Sequence, residues 1–346
     1  MNHTVATATA TDAAACRDFL ARHGVFPGHV DSRWATILAS HYAMQATTLL
    51  ARTSEGAISG LLFCYHRNGD GHTLYSPPYG LIAGDPAAAA ALQRSASEIA
   101  KAAGLGRTII TSGTTDLAGP HHRWSRQSIT LALPRLADDE AVLAWLPQKT
   151  RNMVRKARRN GLKISDTPQH LPDFYRVYRS RLTEKGLTLK PPGFFTDMAT
   201  LFQDECLLLT ALENDTVAGA MLFQISGTSA AYLYNAATER GLQAGCNNLL
   251  MAEAARNLSA RGITRLDLGE SMPGSGVFDF KTKGCGGQAE VVHYYDLMRL
   301  ADTPPPRLAV GLAERVYGYA VSRSAFLPAA LREVLLLKAS SYGRVL

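Results

Sequence analysis

The sequence predicts an α/β (α+β) fold that occurs twice in tandem and is followed by a helical tail. The first observation is a repeated β-rich hairpin, in which Gly60 of one copy corresponds to Gly219 of the other. The second is a repeated strand, because Leu74-Tyr75-Ser76 corresponds to Leu233-Tyr234-Asn235 at the same offset in sequence. This offset is the size of a domain, so the pattern indicates a tandem duplication rather than a short-period solenoid.

A third observation is an Ala-rich helix that ends at a glycine in each copy, at Gly104 and at Gly262. Each copy is predicted to contain helices, a hairpin, a third strand, this long helix and a further strand. The predicted segments of the first copy are residues 13–23, 48–52, 58–65, 73–76, 86–103 and 108–111. Those of the second copy are residues 173–185, 207–212, 217–225, 231–235, 247–260 and 265–268.

Bulk composition suits two globular domains, since the chain has 346 residues and 46% apolar content. We expect a first domain at residues 1–140, a second at 141–304 and a basic amphipathic tail at 305–346. The five scattered cysteines include no CxxC pair, which disfavours zinc and disulfides and suits a reducing cytoplasm. The first 15 residues lack a signal-like apolar segment, and no apolar run reaches membrane-spanning length. The net charge of +7 favours an anionic partner.

Three segments resemble the FemAB-like family, in which two GNAT acyltransferase domains follow one another. These segments are Ser76-Pro77-Pro78-Tyr79, the stretch from Arg151 through Arg155-Lys156-Ala157 to Gly161-Leu162, and the stretch from Asp267-Leu268-Gly269 through Phe278-Asp279-Phe280-Lys281 to Gly286-Gly287. The resemblance spans most of residues 34–300. The chain departs from it at Gly284-Cys285-Gly286, where the family usually has an aromatic residue before the glycine.

The resemblance implies a tandem GNAT fold and transfer of an acyl or aminoacyl group to an amine. It implies no bound cofactor, and the co-substrate would be aminoacyl-tRNA or acyl-CoA. By the same resemblance, Lys281 would lie at the transfer site and stabilise negative charge on the carbonyl or on the donor phosphate. The alternative for Lys281 is a surface lysine between two core phenylalanines.

A basic segment between Lys149 and Lys163 contains seven cations and no acid. Helical spacing turns Leu146, Met153 and Ala157 inward and groups Arg151, Arg155 and Arg158 on another face. We assign Arg151, Arg155 and Lys156 to donor phosphate binding, because an anion would relieve the repulsion between these like charges. The alternative is a solvated cationic face.

The junction from Arg240 to Asn248 resembles the GNAT turn that holds the pyrophosphate of CoA, although its spacing differs from the consensus. Gln243, Gly245 and Asn247 are therefore assigned to the donor, with Asn247 as the N-cap of the following helix. A capped helix with no ligand is the alternative. The matching region of the first copy lacks this pattern, so we expect that copy to bind the acceptor.

A general base is harder to assign. Glu270 is preferred because it follows a predicted strand end, where such sites often lie. Alternatives are Asp267, His293, one of Tyr79, Tyr294 and Tyr295, or positioning without a dedicated base. We expect Tyr79, Asn235 and Phe278 to line an acceptor cleft.

The tail has apolar residues at helical spacing and a net positive charge, so it predicts either an anionic-membrane contact or a helix packed on the second domain. The chain is therefore expected to be a cytoplasmic acyltransferase, at the inner face of the membrane if the tail binds lipid. Its acceptor would be an amine on a cell-envelope or polysaccharide precursor. One rival is an acyl-CoA-dependent enzyme acting on a small amine or amino sugar. The other is an RNA- or membrane-binding module that has lost catalysis.

Overall fold

The computed structural model describes residues 3–23, 28, 31–67, 73–113, 115–300, 327 and 329–339. The strands are β1 (Thr4–Thr7), β2 (Met44–Arg52), β3 (Ile58–Arg67), β4 (Thr73–Tyr75), β5 (Leu81–Ala83), β6 (Arg107–Ser112), β7 (His121–Ala132), β8 (Lys163–Ser165), β9 (Cys206–Glu213), β10 (Thr216–Ser226), β11 (Ser229–Ala237), β12 (Arg265–Glu270) and β13 (Gln288–Leu300). The helices are α1 (Ala13–Ala21), α2 (Arg33–Tyr42), α3 (Pro86–Ala102), α4 (Asp139–Trp145), α5 (Gln148–Arg159), α6 (Leu171–Lys185), α7 (Pro192–Phe202), α8 (Glu239–Ala244), α9 (Cys246–Ala260), α10 (Gly276–Asp279) and α11 (Ala329–Ala339).

The chain forms two compact units, and between residues 3 and 300 it passes between them twice. Among the described residues, the first unit contains those within 3–128 and 290–300, and the second contains those within 129–289 and 327–339. Strand β7 begins in the first unit and ends in the second, whereas β13 does the reverse. This division differs from the single crossing expected at residues 140 and 141, because the sequence patterns did not reveal these two long strands.

In the first unit the strand order is β1-β2-β3-β4-β6-β13, and β5 pairs with β3. Strand β4 runs parallel to β6, while β13 runs antiparallel to β6 through the pairs from His293–Ser112 to Asp296–Ile109. Helix α3 packs on this sheet through small and aliphatic side chains that form a buried core with residues of β2, β3 and β6. The long Ala-rich segment therefore forms the helix predicted for it.

In the second unit the strand order is β12-β11-β10-β9-β8. Strands β8, β9, β10 and β11 pair antiparallel with one another, whereas β11 and β12 are parallel. Helix α9 covers this sheet with Leu249, Leu250 and Leu258, which are at most 3% exposed. The order helix, meander, helix, strand matches that of the first unit, as the sequence predicted.

Two pairs of glycines show that the units are built alike. A Cβ atom at Gly60 would lie 2.9 Å from Leu92 Cδ1 of α3, and one at Gly219 would lie 2.9 Å from Cys246 Sγ of α9. Each glycine thus lets its strand approach the covering helix closely. Gly104 and Gly262 follow the ends of these helices in the left-handed region, with φ of +68° and +77°.

The described part of the tail packs on the second unit. Leu336 of α11 is fully buried, and its carbonyl accepts a hydrogen bond from the Leu189 N–H at 3.2 Å. Arg332 Nη2 donates to the carbonyl of Glu184 on α6 at 3.0 Å. These contacts agree with the packed alternative for α11, while residues 301–326 and 340–346 lie outside the described residues. Among the helices described here, none combines the length and apolar character needed to cross a bilayer.

Candidate active site

The second unit has an opening between β11 and β12. The two strands pair only from Ser229–Arg265 to Ala231–Asp267, although both continue beyond this point. Strand β11 also has a bulge, because Leu222 and Phe223 of β10 pair with Tyr234 and Tyr232 and leave Leu233 unmatched. Bulges of this kind often lie next to active sites, where they redirect a side chain or end the pairing of strands.

A short helix after β12 carries Lys281 to this opening. Helix α10 begins after Ser275, whose Oγ accepts a hydrogen bond from the Phe278 N–H at 3.1 Å. It continues into a π-helical turn, Phe280–Gly284, a geometry found mostly at functional sites. The turn requires a glycine at position 287, because a Cβ there would lie 2.8 Å from the Lys281 carbonyl oxygen.

Lys281 is buried, with 5% of its surface exposed. Its Nζ donates hydrogen bonds to the carbonyl oxygens of Gly269 at 3.2 Å and Glu270 at 3.3 Å. The same atom lies 6.0 Å from the centre of the Tyr232 ring. Burial lowers the pKa of Lys281 to about 8, although the nearby charge of Asp267 opposes this shift. This geometry contradicts the alternative of a surface lysine.

The two carboxylates at the end of β12 have different environments. Asp267 is 3% exposed, and its Oδ1 accepts a hydrogen bond from the Gly269 N–H at 2.7 Å, so it fixes the backbone at Gly269, whose φ is +74°, near the end of the strand. Glu270 is half-buried, and its negative charge helps to raise the pKa of Lys281. Of the two, Glu270 is the more accessible to a reacting amine.

The other residues considered as bases lie in the first unit. His293 Nδ1 is 2.8 Å from Ser125 Oγ, and the Tyr295 hydroxyl donates to Asp116 at 2.7 Å. Tyr294 is fully buried and stacks on Trp124. Tyr79 is 3% exposed and has a positive φ of +58°. In the first unit these side chains therefore belong to packed or hydrogen-bonded clusters.

The segment Gly284-Cys285-Gly286, where the chain departs from the family pattern, lies inside the second unit. Cys285 is 2% exposed and belongs to the same buried core as Leu268, so the thiol is part of the packing in this turn. Burial raises the pKa of Cys285 to about 12, and it does the same for Cys246. Neutral, buried thiols are poor nucleophiles.

The predicted phosphate turn is a short helix followed by a second helix. Helix α8 begins at Thr238, whose Oγ1 accepts the Gly241 N–H at 3.0 Å, and it ends at Gly245 in the left-handed region. Helix α9 then starts at once, with Gly245 as its N-cap and no side-chain cap. The prediction that Asn247 is the N-cap is wrong, because the sharp turn at Gly245 leaves no room for an intervening loop.

Asn247 instead contacts another predicted site residue. Its Oδ1 accepts a hydrogen bond from Asn235 Nδ2 at 3.1 Å, and Asn235 also donates to the Ala220 carbonyl. Two residues that the sequence assigned to different substrates thus form one polar pair at the start of α9. Phe278, also assigned to the acceptor, is half-buried and packs against the core of the second unit. Tyr79 belongs to the first unit.

The basic helix α5 packs on the start of α9. A Cβ at Gly245 would lie 3.0 Å from the Met153 carbonyl oxygen, so only glycine allows this approach. Lys156 Nζ donates to the Gln243 carbonyl at 3.0 Å. At its other end, α5 contacts the π-helical turn through a 2.5 Å hydrogen bond from Thr150 Oγ1 to the Gly284 carbonyl. Lys156, Gln243 and Gly245 are thus brought together.

Arg151 lies on another flank of α5 from Lys156. The buried residues are Thr150, Val154 and Ala157, whereas Met153 is only partly buried, so the predicted inward face is rotated. At about 100° per residue, Arg151 lies about 140° around the helix from Lys156. Arg158 forms an ion pair with Asp139 at 2.8 Å. The structure therefore does not place Arg151 on the face that contacts Gln243.

Sequence reasoning assigned no individual role to three residues of this site: Tyr232, Thr150 and Gly287. Alternation with Tyr234 along the predicted strand does not locate Tyr232, because the bulge at Leu233 separates the two rings: Tyr234 contacts Phe195, whereas Tyr232 contacts Phe223. Thr150 gives no signal either, because its role depends on a contact with a distant carbonyl. Among the described residues, no group of three His, Cys, Asp or Glu side chains could hold a metal ion.

Comparison with known protein families gives a match within the second unit. A family profile described as an acetyltransferase (GNAT) domain matches residues 148–282, which include α5, α9 and Lys281. No curated protein sequence matches the chain.

Solved structures show the same fold over both units. The crystal structure of FemX has a TM-score of 0.65 at 14% identity and covers 84% of this chain and 96% of its own. The C-terminal domain (DUF2156) of a putative lysylphosphatidylglycerol synthetase from Agrobacterium fabrum has a TM-score of 0.54 at 13% identity, covering 83% and 92%. A tandem GNAT protein from the clavulanic acid biosynthesis pathway has a TM-score of 0.52 at 10% identity, covering 88% and 100%. Residues 148–282 therefore match a GNAT acetyltransferase domain, and the two units have the tandem fold seen in FemX and in the tandem GNAT protein.

Proposed function

We propose that this chain transfers an acyl or aminoacyl group from an activated ester or thioester to an amine at the opening between β11 and β12. The observation that carries the proposal is the burial of Lys281 at this opening, with its ammonium on the carbonyls of Gly269 and Glu270. An ammonium kept out of bulk water in a defined position can stabilise an oxyanion strongly, because the site does not have to reorganise when charge develops.

The start of α9 is suited to the donor's phosphate. A helix N-terminus carries a partial positive charge and unsatisfied N–H groups, and no side chain caps this one. Lys156 lies beside it, held by the Gln243 carbonyl. We therefore assign donor binding to Lys156, Gln243, Gly245 and Asn247. Arg155 is exposed and next to Lys156 in sequence, so it can reach a longer anion such as tRNA, and Arg151 can extend the contact.

The reaction would join the amine nitrogen to the donor carbonyl carbon and break its bond to the tRNA ribose oxygen or the CoA sulfur. The amine loses a proton, which Glu270 is placed to accept and the leaving group finally takes up. Lys281 remains protonated and stabilises the tetrahedral oxyanion between bond formation and bond cleavage. Every proton is thus conserved, and no bound cofactor is needed.

We propose aminoacyl-tRNA as the donor and an amine on a cell-envelope or polysaccharide precursor as the acceptor. The likeness to FemX and to a putative lysylphosphatidylglycerol synthetase domain supports this choice. Such donors are made in the cytoplasm, where the five free thiols would stay reduced.

A second candidate is acyl-CoA transfer to a small amine or amino sugar. It is favoured by the placement of Arg151 on a different flank of α5 from Lys156, because a compact pyrophosphate needs only the start of α9. The third possibility, a binding module without catalysis, does not account for a lysine kept buried and charged at a cost to folding.

Donor binding tests the proposal. Purified protein is titrated with aminoacyl-tRNA and, separately, with acyl-CoA. The variant Arg155→Ala/Lys156→Ala is compared with Arg176→Ala/Lys185→Ala, which removes two exposed cations from α6 in the same unit. We expect tRNA affinity to fall at least about tenfold in the first variant only, since phosphate contacts dominate such binding. CoA binding that neither variant changes would favour the second candidate. Binding of neither donor would contradict both.

A further inference from the structure

The π-helical turn that carries Lys281 is held at its end by a side chain of another helix. The carbonyl of Gly284, the last residue of this turn, accepts a hydrogen bond from the Thr150 hydroxyl of α5 at 2.5 Å. The last carbonyls of a helix lack donors within it, so they need partners from elsewhere. Because Thr150 is 2% exposed, this bond is made on the buried side of the turn.

The position of the Lys281 ammonium depends on the backbone of this turn. Its Nζ contacts the carbonyl oxygens of Gly269 and Glu270 at 3.2 and 3.3 Å, at the long end of the usual range for such hydrogen bonds. A displacement of the turn away from β12 by roughly a few tenths of an ångström would therefore weaken both bonds. Whatever holds the turn in place also holds the ammonium.

Helix α5 is itself fixed in the core of the second unit. Val154 and Ala157 follow Thr150 at helical spacing, and both are fully buried in this core. The start of the helix also lies against the segment after the turn, since a Cβ atom at Gly286 would be 3.9 Å from Pro147 Cγ. Thr150 thus donates its hydrogen bond from a backbone that the core keeps in place.

The same helix contacts the proposed donor site. Lys156 Nζ donates to the Gln243 carbonyl at 3.0 Å, and the backbone of α5 approaches Gly245 closely. Along the helix axis, Thr150 and Lys156 are separated by roughly 9 Å. One helix therefore connects the segment assigned to the donor phosphate with the turn that carries Lys281.

We propose that Thr150 is a positioning residue for the transfer reaction, because through the Gly284 carbonyl it sets the place of the Lys281 ammonium relative to the donor site at the start of α9. This inference rests on the proposed function, in which that ammonium stabilises the oxyanion. Thr150 itself would touch neither substrate. The competing role is that of a buried hydroxyl that stabilises the fold and has no influence on Lys281.

Turnover separates the two roles when it is compared with a matched control. Thr150→Val removes the hydroxyl, and Thr150→Ser keeps it. The control is Thr210→Val, because Thr210 is also fully buried in the second unit and its hydroxyl donates to the Ser165 carbonyl at 3.1 Å. Thr210 lies on β9, which β10 separates from β11 and the opening.

We expect Thr150→Val to lower kcat at least about tenfold while donor affinity stays within about twofold, because a displaced ammonium weakens only the stabilisation of the transition state. Thr150→Ser should restore most of kcat. Thr210→Val should destabilise the fold in a similar way, since it also leaves a carbonyl without its donor, but it should leave kcat unchanged. If Thr150→Val does not fold, Thr150→Ala carries the same test.

A second readout does not require activity. Competitive labelling with acetic anhydride over a series of pH values, followed by mass spectrometry of the peptides, gives the pKa of Lys281. In the wild type, burial holds this pKa at about 8. Thr150→Val should raise it towards the ordinary value of 10.5, because the ammonium gains water while Asp267, Glu270 and Cys285, whose charges also act on it, are retained. Thr210→Val should not change it.

The inference is overturned if Thr150→Val keeps the kcat of an active wild type, or if the pKa of Lys281 is the same in both. It is also overturned if Thr210→Val loses as much activity as Thr150→Val, because loss of stability would then explain both. A wild type that transfers no acyl group would refute the proposed function instead. The labelling result would still decide whether Thr150 positions Lys281.

Discussion

The two units share one plan, but their long helices begin differently. In the first unit, Asp85 caps α3, and its Oδ1 accepts the N–H groups of Ala87 and Ala88 at 2.9 Å each. In the second unit, α9 begins at Gly245 and has no side-chain cap. A carboxylate thus already occupies the anion-binding end of the first helix, whereas the second helix has no side-chain cap.

The units also differ after the strand that follows each helix. Strand β12 leads to the turn that buries Lys281, whereas the sequence after β6 contains no lysine until Lys149. The comparison teaches that duplication preserved the scaffold, down to the glycines at positions 60 and 219, while the second copy carries Lys281 at its opening. We therefore expect the chemistry to depend on the second unit.

The largest expected effect is on turnover. Lys281→Ala should lower kcat about 10²- to 10³-fold, because it removes the ammonium that stabilises the oxyanion. Lys283→Ala, which removes an exposed lysine two residues away, should have little effect. Turnover is measured with the donor that binds, and circular dichroism checks that both variants fold. An active Lys281→Ala enzyme would refute the role of this residue, and a comparable loss from Asp116→Asn would move the chemistry towards the first unit.

The next effect is on the pH dependence of stability. The folded pKa of Lys281, about 8, lies below the ordinary lysine value of 10.5, so burial of its charge destabilises the native state fully below pH 8. This cost is relieved as pH rises from 8 towards 10.5. Between pH 7 and 10, the wild-type free energy of unfolding should therefore rise by about 2–3 kcal/mol relative to Lys281→Met. Denaturant titrations measure this difference. Lys283→Met should show none, and parallel pH profiles for wild type and Lys281→Met would contradict the prediction.

The smallest effect concerns the helix caps. Asp85→Ala should lower the free energy of unfolding by about 1 kcal/mol, because two N–H groups at the start of α3 lose their acceptor. Donor affinity should not change. Thr238→Ala removes a cap of similar strength before α8, but it should also weaken donor binding, because that helix positions Gly245. If Asp85→Ala weakened donor binding instead, the assignment of the donor to the second unit would fail.

Much of the fold could be predicted because local patterns and the repeat support each other. The hairpins, the long helices and the glycines that follow them recur in both copies, so each copy tests the interpretation of the other. The strands β7 and β13 were missed since neither has a counterpart at the repeat offset. Their pairing depends on residues far apart in sequence, for example Asp296 with Ile109.

Site residues could be predicted where they belong to a sequence motif. Their burial and contacts were harder to predict because they depend on tertiary packing. Lys281 was found by resemblance, and its burial follows from contacts with Gly269 and Glu270 that sequence spacing does not reveal. The N-cap assigned to Asn247 was wrong because one left-handed glycine both ends α8 and begins α9. The buried face of α5 differs from the predicted one because Val154, rather than Met153, packs against the core.

The double passage of the chain between the units has a consequence for synthesis on the ribosome. Strand β13 completes the sheet of the first unit beside β6, yet it is made only after the whole of residues 129–289. Until then, β6 is an open edge of an unfinished sheet, able to pair with other chains. Residues 129–289 of the second unit thus interrupt the first unit in sequence, and the last part of the described sheet to be translated closes the domain that was begun first.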